Sequence, residues 1–153
     1  MELFFNIVTA IRNLRAEVEI PLDKKIDVIV ATSDKNHYQF LDTLSPHIKS
    51  LSGIGNLALE SKPLRPESSV SALINDIHIF IPLVGVIDLE KEKIRIARQL
   101  EKAELEIEKK QNILKNKEFL KRAPQEIVER EQARLEELKE ISKKLKRIKD
   151  ELK

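Results

Sequence analysis

The most concentrated chemical feature of this 153-residue sequence is a group of basic side chains between residues 109 and 122. Only one carboxylate, that of Glu118, lies among them. Clustered ammonium and guanidinium groups attract phosphate oxygens, and their contacts with a nucleic-acid backbone release counterions. This basic cluster consists of Lys109, Lys110, Lys115, Lys117, Lys121 and Arg122. We interpret it as a candidate polyanion-binding site, although a lysine-rich surface can also serve solubility alone.

A second basic group lies near the end of the chain and allows two interpretations. Its members are Lys143, Lys144, Lys146, Arg147 and Lys149. They can form a second binding face, or they can pair with carboxylates earlier in the chain, such as Glu90 and Glu92. We favour the pairing, because opposite charges on neighbouring helices stabilise each other.

No residues are spaced for catalysis or for metal binding. His37, His47 and His78 have no ligand spacing between them, and the chain has no cysteine. Gly53-Ile54-Gly55 is too short for a phosphate-binding loop and predicts a turn. Carboxylate pairs such as Glu136-Glu137 are expected on a solvated helix face. We therefore predict no catalytic residue, no metal and no cofactor within this chain.

The charge is unevenly distributed along the sequence. Residues 88–153 contain 20 basic and 16 acidic side chains, whereas residues 1–87 contain 8 and 10. Such asymmetry suggests a polyanionic partner for the basic half. No apolar run approaches the roughly 20 residues that span a bilayer. The first residues also lack a signal-peptide pattern, so a cytoplasmic location is the default expectation.

The last 66 residues carry a repeat that is typical of a coiled coil. Apolar or seam-like positions recur with alternating steps of four and three residues, which is the 3.5-residue period of a coiled-coil seam. The first run is Leu89, Lys93, Ile96, Leu100, Ala103, Ile107, Lys110 and Leu114, and the second is Ile127, Glu131, Arg134, Leu138, Ile141, Leu145, Ile148 and Leu152. Two equal runs predict an antiparallel hairpin whose helices are each about 40–45 Å long.

Antiparallel alignment of the two runs gives a specific register. Leu100 then faces Ile141, Ile107 faces Arg134, and Leu114 faces Ile127 near the tip. Only one layer opposes two charges, Lys110 and Glu131, and these have opposite signs. We expect a partly buried ion pair there, which fixes the register more than it adds stability. The basic cluster then lies at the tip of the hairpin.

The first 87 residues predict a small mixed α/β unit. Residues 2–18 form an amphipathic helix, which either caps this unit or ends a larger, missing domain. A β-α-β-β-β unit follows, with Asp34 capping its helix and Asn75-Asp76 forming a hairpin turn. The expected fold is thus α+β: an N-terminal helix and a small β-α-β-β-β unit, then a long antiparallel two-helix coiled-coil hairpin. The expected domains are 1–19, 20–86 and 87–153.

The sequence resembles the C-terminal end of valyl-tRNA synthetases in two separate places. Residues 11–17 (Ile-Arg-Asn-Leu-Arg-Ala-Glu) are similar to the last helix of the family's anticodon-binding domain. The tip matches the family pattern Leu-x-Asn-x-x-Phe-x-x-x-Ala-Pro-x-x-Val-Val at Leu114, Asn116, Phe119, Ala123-Pro124 and Ile127-Val128. Ile127 replaces the usual Val, and Ile96 replaces a usual Leu.

The resemblance implies a tRNA-binding arm that braces the outer corner of a valine-accepting tRNA, where the D and T loops meet. It also implies that ATP is used by the parent valine–tRNA ligase, in catalytic domains upstream of a shortened chain, and that this fragment is a monomer without catalysis. The alternative from the residues alone is a protein-interaction or self-associating coiled-coil arm. Its candidate contact residues are Leu105, Ile113, Leu120 and Leu135.

Overall fold

A computed structural model of the protein describes residues 1–152, which form an α+β fold of five helices and four strands. This architecture confirms the predicted fold class. The chain divides into two compact units. The first comprises Met1–Glu92 together with the end of the chain from Glu151, and the second comprises Lys93–Asp150. Within residues 1–152, no helix has the length and apolar character needed to cross a membrane.

Helix α1 (Glu2–Glu17) buries its predicted apolar face in the first unit, where it packs against α2 and β3. Arg15 lies on this face and is only 1% exposed. Its guanidinium donates hydrogen bonds to the carbonyl oxygens of Ser52 at 3.1 Å, Gly53 at 2.9 Å and Lys24 at 2.6 Å, and also to that of Pro21. Burial lowers the pKa of Arg15, and Asp23 opposes that shift.

Strands β1 (Ile26–Ala31) and β2 (Ile54–Glu60) are parallel neighbours joined by helix α2 (Lys35–Ser52). Asp34 caps α2 as predicted, because its Oδ1 accepts from the backbone N–H groups of Asn36 and His37 at 2.8 and 3.1 Å. Pro46 does not stop the helix, which continues for another turn and a half so that Ile48 can be fully buried.

Strands β3 (Ser69–Ile74) and β4 (Ile77–Pro82) form the predicted hairpin and complete a sheet of order β2-β1-β4-β3. Ile77, Ile79 and Ile81 are buried as the alternation predicts. Phe80 on the opposite face is buried as well, which the alternation did not predict. Its register partner Ser71 donates to the Glu151 carboxylate at 2.8 Å, so the chain end covers this face.

A polar contact ties the turn of this hairpin to the start of α2. Asp76 accepts from the Thr32 hydroxyl at 2.5 Å, and its other carboxylate oxygen lies 2.6 Å from Nδ1 of His37. The Thr32 hydrogen bond, with help from His37, holds the pKa of Asp76 below its ordinary value although desolvation opposes it. Asn75 before it has a φ of 54°, which an Asn tolerates at a tight turn.

The second unit contains most of the two long helices, α3 (Leu89–Lys115) and α5 (Gln125–Glu151), each of 27 residues. Asp88 caps α3, because its Oδ1 accepts from the backbone N–H of Lys91 at 3.2 Å. A short helix that the sequence did not predict, α4 (Lys117–Arg122), lies between them. The cap of this helix is Asn116, whose Oδ1 accepts from Glu118 and Phe119 at 3.0 and 3.3 Å.

The predicted seam is correct along α3 and along most of α5, where two of its eight residues are exposed. Ile96, Leu100 and Ala103 are buried on α3 as expected. On α5 the expected seam residues Arg134 and Ile141 are exposed, whereas the following residues in sequence are buried. Val128, Leu135 and Ser142 are buried in addition to the correctly predicted Leu138, Leu145, Ile148 and Leu152.

Gly53 offers a sharp test of the packing around Arg15. Its φ is 67°, and an added Cβ would lie 2.7 Å from the backbone oxygen of Leu22 and 3.1 Å from the guanidinium of Arg15. We expect Gly53→Ala to lower the free energy of unfolding by more than about 2 kcal/mol, because strain and clash add. Urea unfolding measures this loss.

Gly55→Ala is the matched control for that substitution. A Cβ at Gly55 would lie 3.5 Å from the Cβ of Lys25, which is an ordinary contact, and its φ is not positive. We expect a change of less than about 1 kcal/mol for this exposed position. Equal losses for the two alanine variants would contradict the proposed role of the Gly53 backbone.

Candidate nucleic-acid interface

The basic cluster lies where α3 ends and α4 runs. Lys109, Lys110 and Lys115 belong to the last two turns of α3, and Lys117, Lys121 and Arg122 belong to α4. All except Lys110 are exposed. Lys115 lies in the last turn of α3, where a cation interacts favourably with the negative end of the helix dipole. Lys121 and Arg122 occupy the same position on α4.

Asn116 separates the two helices and sets the geometry of the tip. Its backbone is extended, with a φ of −75° and a ψ of 111°, and its side chain satisfies two N–H groups that begin α4. Asn is favoured at this position because its short side chain reaches those donors. Lys117 and Lys121 are then one helical turn apart and lie on one side of α4.

Lys110 is the exception within the basic cluster because it holds the hairpin in register. Its Nζ lies 2.6 Å from Oε2 of Glu131, with the two side chains 27% and 21% exposed. This confirms the predicted charged layer. The contact is an ion pair without hydrogen-bond geometry, since this buried oxygen has no hydrogen-bond partner within the described residues. The remaining five cations are therefore the ones available to a ligand.

The shaft of the hairpin neutralises its own charges. Arg134 lies 3.6 Å from Glu106, Lys146 lies 3.8 Å from Glu104, and Arg130 pairs with Glu126 one turn away on α5. Lys144 and Arg147 of the second basic group also have interaction partners. Internal pairing of this group is thus partly confirmed, although the partner of Lys146 is Glu104 rather than Glu90 or Glu92.

The tip differs from the shaft in having cations without counterions. Within residues 1–152, Lys109, Lys115, Lys117, Lys121 and Arg122 have no carboxylate within salt-bridge distance. These unpaired cations can contact a phosphate without first breaking an internal ion pair. The arrangement therefore favours binding a polyanion rather than proton transfer or nucleophilic chemistry.

The apolar side chains at the tip of the hairpin differ in how far they are buried. Phe119, Leu114 and Ile127 are partly buried and close the tip. Leu120 beside them is 44% exposed. Among the residues proposed for a protein-binding stripe, Leu135 is buried in the seam, whereas Leu105 and Ile113 are exposed. No continuous apolar stripe therefore results from these residues.

The three histidines lie in different surroundings. His47 is exposed on α2, and the ring of His78 stacks on that of Phe80 at 6.0 Å. His37 lies beside Asp34 and Asp76, a grouping that spacing along the sequence did not reveal because Asp76 comes from a distant turn. Gly53 forms the C-cap of α2, as the turn prediction requires.

Comparison with known proteins identifies one consistent set of relatives. Residues 88–153 match the family model described as the valyl tRNA synthetase tRNA binding arm. The chain is 32% identical over 134 residues to the valine–tRNA ligase of Enterococcus faecalis and 35% identical over 140 residues to that of Coxiella burnetii. These alignments cover 88% and 92% of the chain, but each covers only 15% of the relative.

A third relative extends the match to the whole chain. The valine–tRNA ligase of Oceanobacillus iheyensis is 28% identical over 153 residues, which is 100% of the chain and 17% of that protein. The resemblance seen in the sequence is therefore confirmed over both compact units. The chain spans about one sixth of the length of the relatives that it matches.

The charged layer can be tested by exchanging its two side chains. Lys110→Glu alone places two carboxylates in a partly buried layer, and Glu131→Lys alone places two ammonium groups there. We expect each single variant to be destabilised and the double variant to regain most of the loss, with a coupling energy of about 1–2 kcal/mol. Urea unfolding of the four proteins measures this coupling.

The exposed pair Glu126 and Arg130 is the matched control on the same hairpin. Its side chains are 83% and 69% exposed, so exchanging them should give a coupling energy of only about 0.3–0.5 kcal/mol. If the exchange of Lys110 and Glu131 gave no more coupling than this control, the layer would not determine the register.

Proposed function

We propose that this chain is the C-terminal, tRNA-binding part of a valine–tRNA ligase. The premise is that its residues 88–153 belong to the family of valyl tRNA synthetase tRNA-binding arms. The single observation that carries the proposal is the set of five unpaired cations at the tip of the hairpin. The family match supports tRNA as the polyanion that these cations contact.

The tip is suited to contacts with phosphates and with RNA shape. The cations of the tip lie on α3 and α4, which are separated by a single residue, the N-cap Asn116. The spacing of these cations is therefore set by helical structure. Folded RNA is recognised in large part through backbone and 2′-hydroxyl contacts. The only aromatic residue at the tip, Phe119, is partly buried, which leaves little aromatic surface for stacking of bases.

We place the contact at the outer corner of the tRNA, where the D and T loops meet. A long hairpin with a neutral shaft and a basic end can reach a folded polyanion without binding it along the whole shaft. In this proposal the tRNA is the valine acceptor, and the chain acts as a monomer in the cytoplasm.

The whole protein would attach valine to tRNA with ATP, in a part that this chain does not include. The relatives are named as valine–tRNA ligases, and the chain matches about one sixth of their length. The tip would therefore contribute to substrate binding and orientation.

Charge reversal of the tip tests the proposal directly. We expect Lys115→Glu, Lys117→Glu, Lys121→Glu and Arg122→Glu together to weaken tRNA binding by on the order of a hundredfold or more. The slope of log K against log salt should fall by about 3, because four phosphate contacts are lost. Fluorescence anisotropy with labelled tRNA, repeated over a range of salt concentrations, measures both quantities.

A matched variant separates position from net charge. Reversing Arg12, Lys25, Lys35 and Lys62, which are exposed side chains of the first unit, changes the net charge by the same amount. This control should retain most of the affinity. Equal losses of tRNA affinity in the two variants would show that net charge alone lowers the affinity. An unchanged affinity of the tip variant would contradict the proposed interface.

Truncated RNAs test the finer assignment to the corner. A full-length tRNA should bind more tightly than an anticodon stem-loop or an acceptor–T-arm helix, since only the full molecule joins the D and T loops. Equal affinity for all three RNAs would reject the corner. Binding of the unchanged chain to a second copy of itself or to another protein, without binding to tRNA, would favour the protein-interaction alternative.

A further inference from the structure

The first unit contains a mixed carboxylate and imidazole cluster that the tRNA-binding role does not use. Asp34, His37 and Asp76 each offer one ligand atom, and these three atoms lie within 4.8 Å of one another. We propose that this cluster is a binding site for a divalent transition-metal cation such as Zn²⁺. The site would tie the start of α2 to the β3–β4 turn.

The three side chains come from two separate segments and are already oriented by other contacts. Asp34 uses Oδ1 to cap α2, which leaves its Oδ2 for a cation. Asp76 is held from one side by the Thr32 hydroxyl at 2.5 Å. His37 lies in the first turn of α2, so its ring position follows from the helix that Asp34 caps. A cation therefore meets donors whose backbone positions are fixed.

The chemistry of the donors selects the class of cation. Imidazole nitrogen with two carboxylates suits Zn²⁺, Co²⁺ or Ni²⁺, whereas Mg²⁺ and Ca²⁺ prefer oxygen ligands alone. Two carboxylates balance the charge of a divalent ion. Zinc ligands lie about 2.0–2.2 Å from the metal, so neighbouring ligands are about 3–4 Å apart. The present separations, 2.6 Å between Nδ1 of His37 and Oδ1 of Asp76 and at most 4.8 Å within the cluster, lie on both sides of this range.

Binding a cation would replace the present contact between His37 and Asp76. Nδ1 of His37 lies 2.6 Å from Oδ1 of Asp76, and these are two of the atoms that a cation would separate. The imidazole must be neutral at Nδ1 to bind a metal, so binding releases or relocates the proton of this contact. Three protein ligands leave further coordination positions for water, because Asp34 is exposed.

Titration of the tag-free full chain with ZnCl₂ in a buffer that does not bind metals tests the site. We expect isothermal titration calorimetry to give one ion per chain and thermal unfolding to shift to higher temperature, since the ion binds only the folded arrangement. His37→Gln and Asp76→Asn should each weaken binding at least tenfold. MgCl₂ should bind far more weakly than ZnCl₂.

His47→Gln is the matched control, because His47 is an exposed histidine on the same helix and outside the cluster. This variant should bind Zn²⁺ like the unchanged chain. Equal binding by the His37→Gln variant would place the ion elsewhere and overturn the proposal. Absence of binding in the unchanged chain, together with a lower unfolding temperature of metal-free His37→Gln, would show that the cluster is only a hydrogen-bonded link.

Discussion

We infer that the ion pair between Lys110 and Glu131 selects which residues of the two long helices face each other. The other seam residues are mostly apolar and differ little between neighbouring heptads, so apolar burial alone would tolerate a slip. A slip of one heptad would place Lys110 opposite Leu138 and leave a charge without its partner in a partly buried layer. That loss is costly because an uncompensated charge has little access to water. Lys115 and the residues of α4 lie between the two long helices in sequence, which places them at the tip.

The sequence predicted this layer because a charge at a seam position is a local and visible exception to the repeat. It did not predict which of two adjacent stripes of α5 would be buried. The stripe Ile127, Arg134 and Ile141 and the stripe Val128, Leu135 and Ser142 each contain two apolar residues. An ideal helix also drifts by about 20° per heptad, so periodicity cannot separate positions one residue apart. The structure buries Ser142 and exposes Ile141, a choice set by the facing helix.

In the first unit, strand and cap signals were local and therefore predictable, whereas the packing of Arg15 was not. Its place on the apolar face of α1 follows from spacing, but its acceptors belong to residues 21–24 and to the end of α2. Nε of Arg15 has no hydrogen-bond partner within residues 1–152, so the four carbonyl contacts are what compensate for burial of the charge. The contact of His37 with Asp76 was likewise not predictable, because the two residues lie 39 positions apart in sequence.

We propose that the hairpin separates the charge that sets its register from the charges that bind a polyanion. Lys110 is engaged with Glu131 inside the seam, whereas Lys117, Lys121 and Arg122 are exposed on α4. Exposed charges farther apart than about 8 Å are largely screened at physiological salt. The paired charges of the shaft, such as Lys146 and Glu104, therefore add little to the field at the tip. Salt should weaken contacts of the tip with phosphates much more than it weakens the apolar seam, so affinity can vary with ionic strength while the hairpin stays folded.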